Sequence, residues 1–182
     1  DQRGHTCALR ASGQVVCWGH NGSGQLGDGT TTTPAPGAVV TVLSAAGVPL
    51  TDAVGIDAAD DHTCVLRQPS SGGAQIVCWG RNTAGATTPV ALPADAGNPV
   101  QVSTAADHTC AVTDIGRLYC WGGNGFGQLG NGTTTGSPTP VWISSVADAF
   151  EVAAGGMSPI GTIPGHARTC VRTAADVQCW GQ

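Results

Sequence analysis

The tripeptide Cys-Trp-Gly occurs four times in this chain of 182 residues, and this repetition constrains the fold more than any other feature. The copies begin at Cys17, Cys78, Cys120 and Cys179. Their irregular spacing, about 50 residues, is typical of a propeller blade with loops of variable length. One such unit is a small sheet that cannot bury its face alone, so it stacks against its neighbours.

The composition favours an all-β fold and argues against two classes of partner. The chain contains 28 glycines and 11 prolines, which divide it into short apolar runs rather than long helical windows. Its seven basic residues are all arginines, they are scattered, and twelve acidic residues outnumber them. We therefore expect no nucleic-acid partner. We also expect no membrane insertion, because no apolar run is long enough to span a bilayer.

Each Cys-Trp-Gly is preceded by a second cysteine, and the repeat predicts how the eight cysteines pair. In the first three units this cysteine ends a His-Thr-Cys motif, whereas the fourth unit reads Arg168-Thr169-Cys170. If Cys7 lies opposite Cys17, the loop between the two strands is residues 11–13, which ends in glycine as a three-residue hairpin requires. Residues 114–116 repeat this arrangement in the third unit. The predicted disulfides are Cys7–Cys17, Cys64–Cys78, Cys110–Cys120 and Cys170–Cys179.

Two other states of these cysteines remain open at this point. A histidine two residues before a cysteine faces the same side of a strand, so zinc is one alternative and unpaired buried thiols are the other. Because Arg168 replaces the histidine while both cysteines stay, the cysteines do not depend on the histidine. We therefore favour disulfides and expect no metal and no cofactor. Disulfides indicate an oxidising compartment, which predicts a secreted or cell-surface protein.

A polar segment follows the Cys-Trp-Gly of the first and third units, and it carries a family resemblance. Residues 21–29 and 124–132 both fit the pattern Asn-x-x-Gly-Gln-Leu-Gly-x-Gly. With His-Thr-Cys and Cys-Trp-Gly, this pattern resembles the regulator of chromosome condensation repeat family. The resemblance implies a β-propeller, commonly of seven blades with four strands each, and the cysteine-paired version is similar to a secreted bacterial branch. We do not expect the nucleotide-exchange role of the eukaryotic member in an acidic, lysine-free chain.

The repeat predicts one propeller segment over residues 1–182, with units near 1–50, 51–98, 99–147 and 148–182. First strands are expected near 53–58, 100–105 and 150–154, and fourth strands near 38–43, 89–92 and 140–143. With the four cysteine hairpins this makes fourteen strands in about four blades, the first and last incomplete. This chain alone therefore does not close a ring. Further blades of a longer protein, or neighbouring copies and partners, are the two expected sources of the missing strands. Residues 81–86 and the insertion at 156–165 depart from the pattern, so units two and four should differ on their loops.

No arrangement of residues typical of a nucleophilic enzyme is present, and we predict no catalytic residues. His5, His62 and His108 recur with the blade, which favours a structural hydrogen-bonding role. Recurring Trp18, Trp79, Trp121 and Trp180 favour packing between blades. His20 is expected in an exposed turn. Asp60, Asp61 and Asp107 form no calcium loop.

The expected function is a secreted, non-catalytic recognition module that binds a protein or glycan through its loops. The predicted binding residues are Asn21, Gln25, Asn124, Gln128 and Trp142, the last at the outer edge of its blade. Asn21 and Asn131 fit the glycosylation sequon. One alternative is a structural subunit of an extracellular assembly completed by strand exchange, and a third is a propeller-based lyase or hydrolase.

Overall fold

A computed structural model describes residues 4–81, 88–157 and 165–182, and its strands form four antiparallel sheets. Blade 1 contains β1 (His5–Leu9), β2 (Val15–Gly19) and β3 (Val40–Thr41). Blade 2 contains β4 (Ala53–Ala58), β5 (His62–Arg67), β6 (Gln75–Gly80) and β7 (Thr88–Val90). Blade 3 contains β8 (Pro99–Thr104), β9 (His108–Thr113), β10 (Leu118–Gly122) and β11 (Ser137–Trp142). Blade 4 contains β12 (Ala149–Met157), β13 (His166–Thr173) and β14 (Val177–Gly181).

The all-β prediction of propeller blades is confirmed, and each blade is a meander in which consecutive strands pair. The fourteen described strands fall on the fourteen expected segments. Two strands differ most in length from the prediction: β12 continues to Met157, and β3 is only two residues long. Among the described residues, no helix is long and apolar enough to cross a lipid bilayer. Residues 82–86 and most of the predicted insertion lie outside the described residues.

The chain divides into two compact units, each made of two consecutive blades. Unit 1 is Asp1–Val90 with blades 1 and 2, and unit 2 is Ala91–Gln182 with blades 3 and 4. Each unit has its own apolar core, built mainly from valine, leucine and cysteine side chains with one tryptophan from the later blade. Burying one face of each sheet against its neighbour supplies the core that a single small sheet lacks.

The hairpins between β1 and β2 and between β9 and β10 have the predicted register. Arg10 donates its backbone N–H to the carbonyl of Gln14, and Thr113 donates to Arg117 in the same way. Gly13 and Gly116 adopt φ angles of 79° and 76°. A side chain is disfavoured in this left-handed region, which explains why both three-residue turns end in glycine.

Each predicted cysteine pair lies directly opposite across its hairpin. The Cα atoms of all four pairs are 4.1 Å apart, with the sulfur atoms at bonding distance. The structure is therefore compatible with four disulfides, one in each blade. Under the chain-entropy model each short loop closed in this way stabilises the fold by about 2–3 kcal/mol.

Disulfide formation is tested by alkylating the purified chain under denaturing conditions with and without reductant. We expect no added label without reductant and eight labelled thiols after reduction, measured by intact mass. Metal analysis of the same sample is the control for zinc. Eight reactive thiols in the unreduced chain would show that the cysteines are not disulfide-bonded.

Candidate functional site

The loop after β2, which we call loop 1 (residues 20–33), is organised around one buried asparagine. Nδ2 of Asn21 donates to the side chain of Asp28 at 3.2 Å, to the carbonyl of Thr30 at 3.2 Å and to that of Thr32 at 3.1 Å. Its Oδ1 accepts the backbone N–H of Leu26 at 2.9 Å. One fully buried amide thus joins both halves of the loop.

The loop after β10, loop 3 (residues 123–135), repeats this arrangement. Nδ2 of Asn124 donates to Asn131 Oδ1 at 3.1 Å and to the carbonyls of Thr133 and Thr135 at 2.9 and 3.0 Å. Its Oδ1 accepts from the N–H of Leu129 at 2.9 Å. Asp28 and Asn131 therefore occupy equivalent positions, and each accepts a hydrogen bond from the buried asparagine through one side-chain oxygen.

The two predicted glutamines are also buried inside these loops. Oε1 of Gln25 accepts the backbone N–H of Ser23, and Oε1 of Gln128 accepts that of Phe126, both at 2.9 Å. Nε2 of Gln128 continues to the carboxylate of Asp107 at 3.1 Å. Four of the five predicted binding residues therefore shape the loops from within, and the side chains that a partner can reach are different ones.

In unit 1 the loop 1 backbone is joined to blade 2 by a short hydrogen-bonded network. The carbonyl of Gln25 accepts Nε1–H of Trp79 at 2.8 Å and the hydroxyl of Thr63 at 3.3 Å. Nε2 of His5 is 2.6 Å from the same hydroxyl. Because that hydroxyl donates to the carbonyl, the histidine is the donor in this contact. Gly27 lies against the indole ring of Trp79.

Unit 2 contains the same network between blades 3 and 4. Nε1–H of Trp180 and the hydroxyl of Thr169 donate to the carbonyl of Gln128 at 2.9 and 2.8 Å, and Nε2 of His108 is 2.9 Å from Thr169. Gly130 lies against the indole of Trp180. The recurring histidines His5 and His108 thus have the predicted structural role.

The outcome for the four recurring tryptophans is uneven. Trp79 and Trp180 pack between blades as predicted. Trp121 is buried, whereas Trp18 is 37% exposed.

Each of the four blades has one pair of positions at the open end of its hairpin, the end from which loops 1 and 3 leave blades 1 and 3. We call these four pairs the hairpin base. In each pair a backbone N–H donates to a carbonyl at 2.7–3.0 Å: His20 to Gly4, Arg81 to Asp61, Gly123 to Asp107, and Gln182 to Ala167. The backbone is the same in every blade, yet the side chains differ in size and charge. Arg81 and Asp61 also form an ion pair.

Two hairpin-base pairs carry a glycine, at opposite positions of the pair. In blade 3 the carboxylate of Asp107 fills the space above Gly123, where any side chain would collide with it. In blade 1 the glycine is Gly4, and the partner position carries His20. The same backbone hydrogen bond therefore accommodates different side chains, with a glycine in two of the four pairs.

Two groups near the hairpin base have shifted pKa values. Burial lowers the pKa of His5, against the nearby Asp61 carboxylate, which raises it. The pKa of Asp107 is lowered first by the ring of His108, whose Nδ1 lies 3.6 Å from the carboxylate, and further by the hydrogen bond that Gln128 donates. Among the described residues, no three His, Cys, Asp or Glu side chains are grouped as a metal site requires.

Trp142, the fifth predicted binding residue, lies at the other end of its blade. It pairs with Tyr119 near the start of β10, whereas loop 3 follows the last residue of that strand. Its ring is 49% exposed and lies 4.8 Å from the Arg117 guanidinium. The structure therefore does not bring Trp142 together with the asparagine and glutamine residues.

Comparison with known proteins agrees with this repeated architecture. A family model described as Regulator of chromosome condensation (RCC1) repeat matches residues 3–25 and 100–128, and a second model of that description matches residues 116–158. The chain belongs to the RCC1 repeat family. Its loops 1 and 3 lie wholly or partly within the matched segments.

Two plant relatives and one solved structure illustrate how much of an RCC1 protein is present. The chain is 28% identical over 167 residues to the RCC1 domain-containing protein RUG3, mitochondrial, of Arabidopsis thaliana, covering 85% of this chain and 37% of RUG3. It is 34% identical over 159 residues to the ultraviolet-B receptor UVR8 of the same plant, covering 81% of this chain and 33% of the receptor. It thus spans about a third of these relatives.

The solved structure of Kap60 bound to yeast RCC1 (Prp20) superimposes with a TM-score of 0.75. The sequence identity is 18%, and the alignment covers 97% of this chain and 41% of that one. At this identity the similarity concerns the fold alone.

Sequence reasoning missed the exposed side chains that the RCC1 frame carries. Phe126 is 37% exposed on loop 3, at the position that Ser23 occupies on loop 1. A comparison of residues 21–29 with residues 124–132 would have pointed to Phe126. Residues that differ between two otherwise matching loops are those that the loop's internal hydrogen bonds do not require. His20 and Arg81, predicted in a turn and in a segment that departs from the pattern, lie at the hairpin base.

The contact between loop 3 and Trp180 is tested with two glycine substitutions. Gly130 and Gly132 have nearly equal φ angles of 75° and 76°, but only Gly130 meets the indole ring. We expect Gly132→Ala to lower the free energy of unfolding by about 1 kcal/mol through backbone strain alone. Gly130→Ala adds overpacking and should cost about 3 kcal/mol in total. Urea denaturation measures both, and equal losses would contradict the packing role of Gly130.

Proposed function

We propose that this chain is a secreted, non-catalytic recognition module that binds a protein partner through loop 3 and the hairpin base of unit 2, with loop 1 as the equivalent surface of unit 1. The observation that carries the proposal is the constant buried frame of these loops beneath exposed side chains that differ from blade to blade. Rigid loops lose little conformational entropy on binding, so variable side chains on them suit recognition. The four cysteine pairs support an oxidising, extracellular location.

A protein is favoured over a glycan by Phe126. An exposed aromatic side chain on a rigid loop is typical of the anchors that dominate protein–protein interfaces. The backbone N–H of Phe126 donates to Oε1 of Gln128, which fixes the main chain at this position of the loop. The yeast relative of the same fold was solved in complex with another protein, which agrees with this choice.

The binding proposal is tested with a photo-crosslinking residue placed at position 126 and, as a control, at Val39, which is exposed after loop 1. Extracellular proteins of the source organism and an immobilised glycan array are offered to both chains. We expect a protein crosslink from position 126 alone, and at least tenfold weaker binding of the purified partner by Phe126→Ser. Equal crosslinking from both positions, or binding to glycans alone, would contradict the proposal.

Glycosylation at Asn131, but not at Asn21, is a further part of this proposal. Asn21 is fully buried and uses its Nδ2 inside loop 1. Asn131 needs only its Oδ1, because Asp28 serves the equivalent position with one oxygen. A glycan on Asn131 Nδ2 would therefore leave the frame intact.

Glycosylation at the two sequons is distinguished by expressing variants in a eukaryotic secretory host. Ser23→Ala removes the Asn21 sequon without removing a frame hydrogen bond, and Asn131→Asp copies Asp28. We expect a mass decrease on amidase treatment for the unaltered chain and for Ser23→Ala, but none for Asn131→Asp. A glycan retained in Asn131→Asp would contradict the assignment.

A further inference from the structure

The first strand of blades 2, 3 and 4 carries a β-bulge at the same place. The register shifts between Ala53 and Gly55, between Pro99 and Gln101, and between Ala149 and Glu151. The bulged residues are Val54, Val100 and Phe150, which are 50%, 50% and 45% exposed. A bulge re-aims a side chain, so three apolar side chains are directed to solvent at equivalent positions.

These bulges lie at the end of each blade opposite to the hairpin base, which we call the turn end. In unit 2 the turn ends of blades 3 and 4 touch, because the carbonyl of Gly116 accepts the backbone N–H of Ala149 at 3.0 Å. Five exposed apolar residues lie at these turn ends: Val100, Ile115, Trp142, Phe150 and Val177. We call this group the turn-end surface. Exposed apolar surface of this kind marks an interaction site.

The charge around the turn-end surface indicates what covers it. The turn ends of blades 3 and 4 carry two arginines and five acids, a formal charge of −3: Arg117, Arg172, Asp95, Asp114, Asp148, Glu151 and Asp176. Arg117 pairs with Asp95, and Arg172 pairs with Glu151. Hydrogen bonding by Arg117 lowers the pKa of Asp95, and hydrogen bonding by Asn98 lowers that of Asp114, so both remain charged in mildly acidic solution.

The turn ends of unit 1 carry the opposite formal charge. They contain Arg10, Arg67 and a single acid, Asp52, which is paired with Arg67. The acidic surroundings therefore distinguish unit 2, although Val54 occupies the equivalent bulge in unit 1. This difference supplies an internal control for any binding that requires both an apolar residue and acidic neighbours.

We propose that the turn-end surface of unit 2 docks a basic polypeptide segment in which lysine or arginine alternates with apolar residues. Its two aromatic rings already accept cations within the chain: the guanidiniums of Arg117 and Arg172 lie 4.8 and 4.0 Å from Trp142 and Phe150. Apolar side chains of the segment pack on the bulged residues, and its cations pair with the carboxylates. The inference rests on the proposed recognition function and places a second contact region away from loops 1 and 3.

The test uses three synthetic peptides of about twelve residues. One contains lysine, leucine and proline, the second has glutamate in place of lysine, and the third has serine in place of leucine. Binding to the full chain is measured by fluorescence anisotropy at low and high salt. We expect the lysine–leucine peptide to bind at least tenfold more tightly than either of the others, and more weakly at high salt.

Three variants locate the binding, and thermal unfolding shows that each remains folded. Phe150→Ser should weaken binding of the lysine–leucine peptide at least tenfold, while Val54→Ser and Phe126→Ser change it less than twofold. Equal binding of the serine peptide would show that binding depends on charge alone and would overturn the proposal. Absence of binding by the lysine–leucine peptide, or unchanged binding by Phe150→Ser, would also overturn it. A loss caused instead by Phe126→Ser would overturn it while leaving the proposed loop function standing.

Discussion

Within each unit one backbone carbonyl joins a loop to the next blade, that of Gln25 in unit 1 and that of Gln128 in unit 2. A carbonyl oxygen can accept two hydrogen bonds, and here a threonine and a tryptophan of the next blade supply both. A buried carbonyl left without partners would cost about 1–3 kcal/mol, so the loop and the next blade stabilise each other. The repeated histidine, threonine and tryptophan, and the glycine beneath the indole, all follow from this contact.

The same contact explains why loops 1 and 3 are rigid although they contain little apolar surface. A leucine and two amides are buried in each loop, and the amides replace the strand pairing that a loop lacks. With the inside occupied in this way, the outward side chains are free to vary. Ser23 and Phe126 differ on equivalent backbones, and the hairpin base carries Asp107 with Gly123 in blade 3 but Gly4 with His20 in blade 1.

The two ends of a blade therefore differ in chemistry. The end with loops 1 and 3 is polar and built from hydrogen bonds, with Trp18 and Phe126 as exposed aromatic residues. The turn end has exposed apolar side chains at bulges, with arginines between aromatic rings and carboxylates. A repeat that supplies the same backbone at both ends leaves each end free to acquire its own side chains.

The sequence by itself determined the local architecture, because hairpins, cysteine pairs and strand positions depend on spacing and turn chemistry. Gly13 and Gly116 mark tight turns, and the cysteine register follows from them. Only the tertiary structure decided which polar residues face solvent. Asn21 and Gln25 look like loop surface in a sequence, yet the neighbouring blade and the loop's own backbone enclose them. The bulges were equally invisible, since an inserted residue such as Phe150 shifts the alternation of buried and exposed positions only once its partner strand is present.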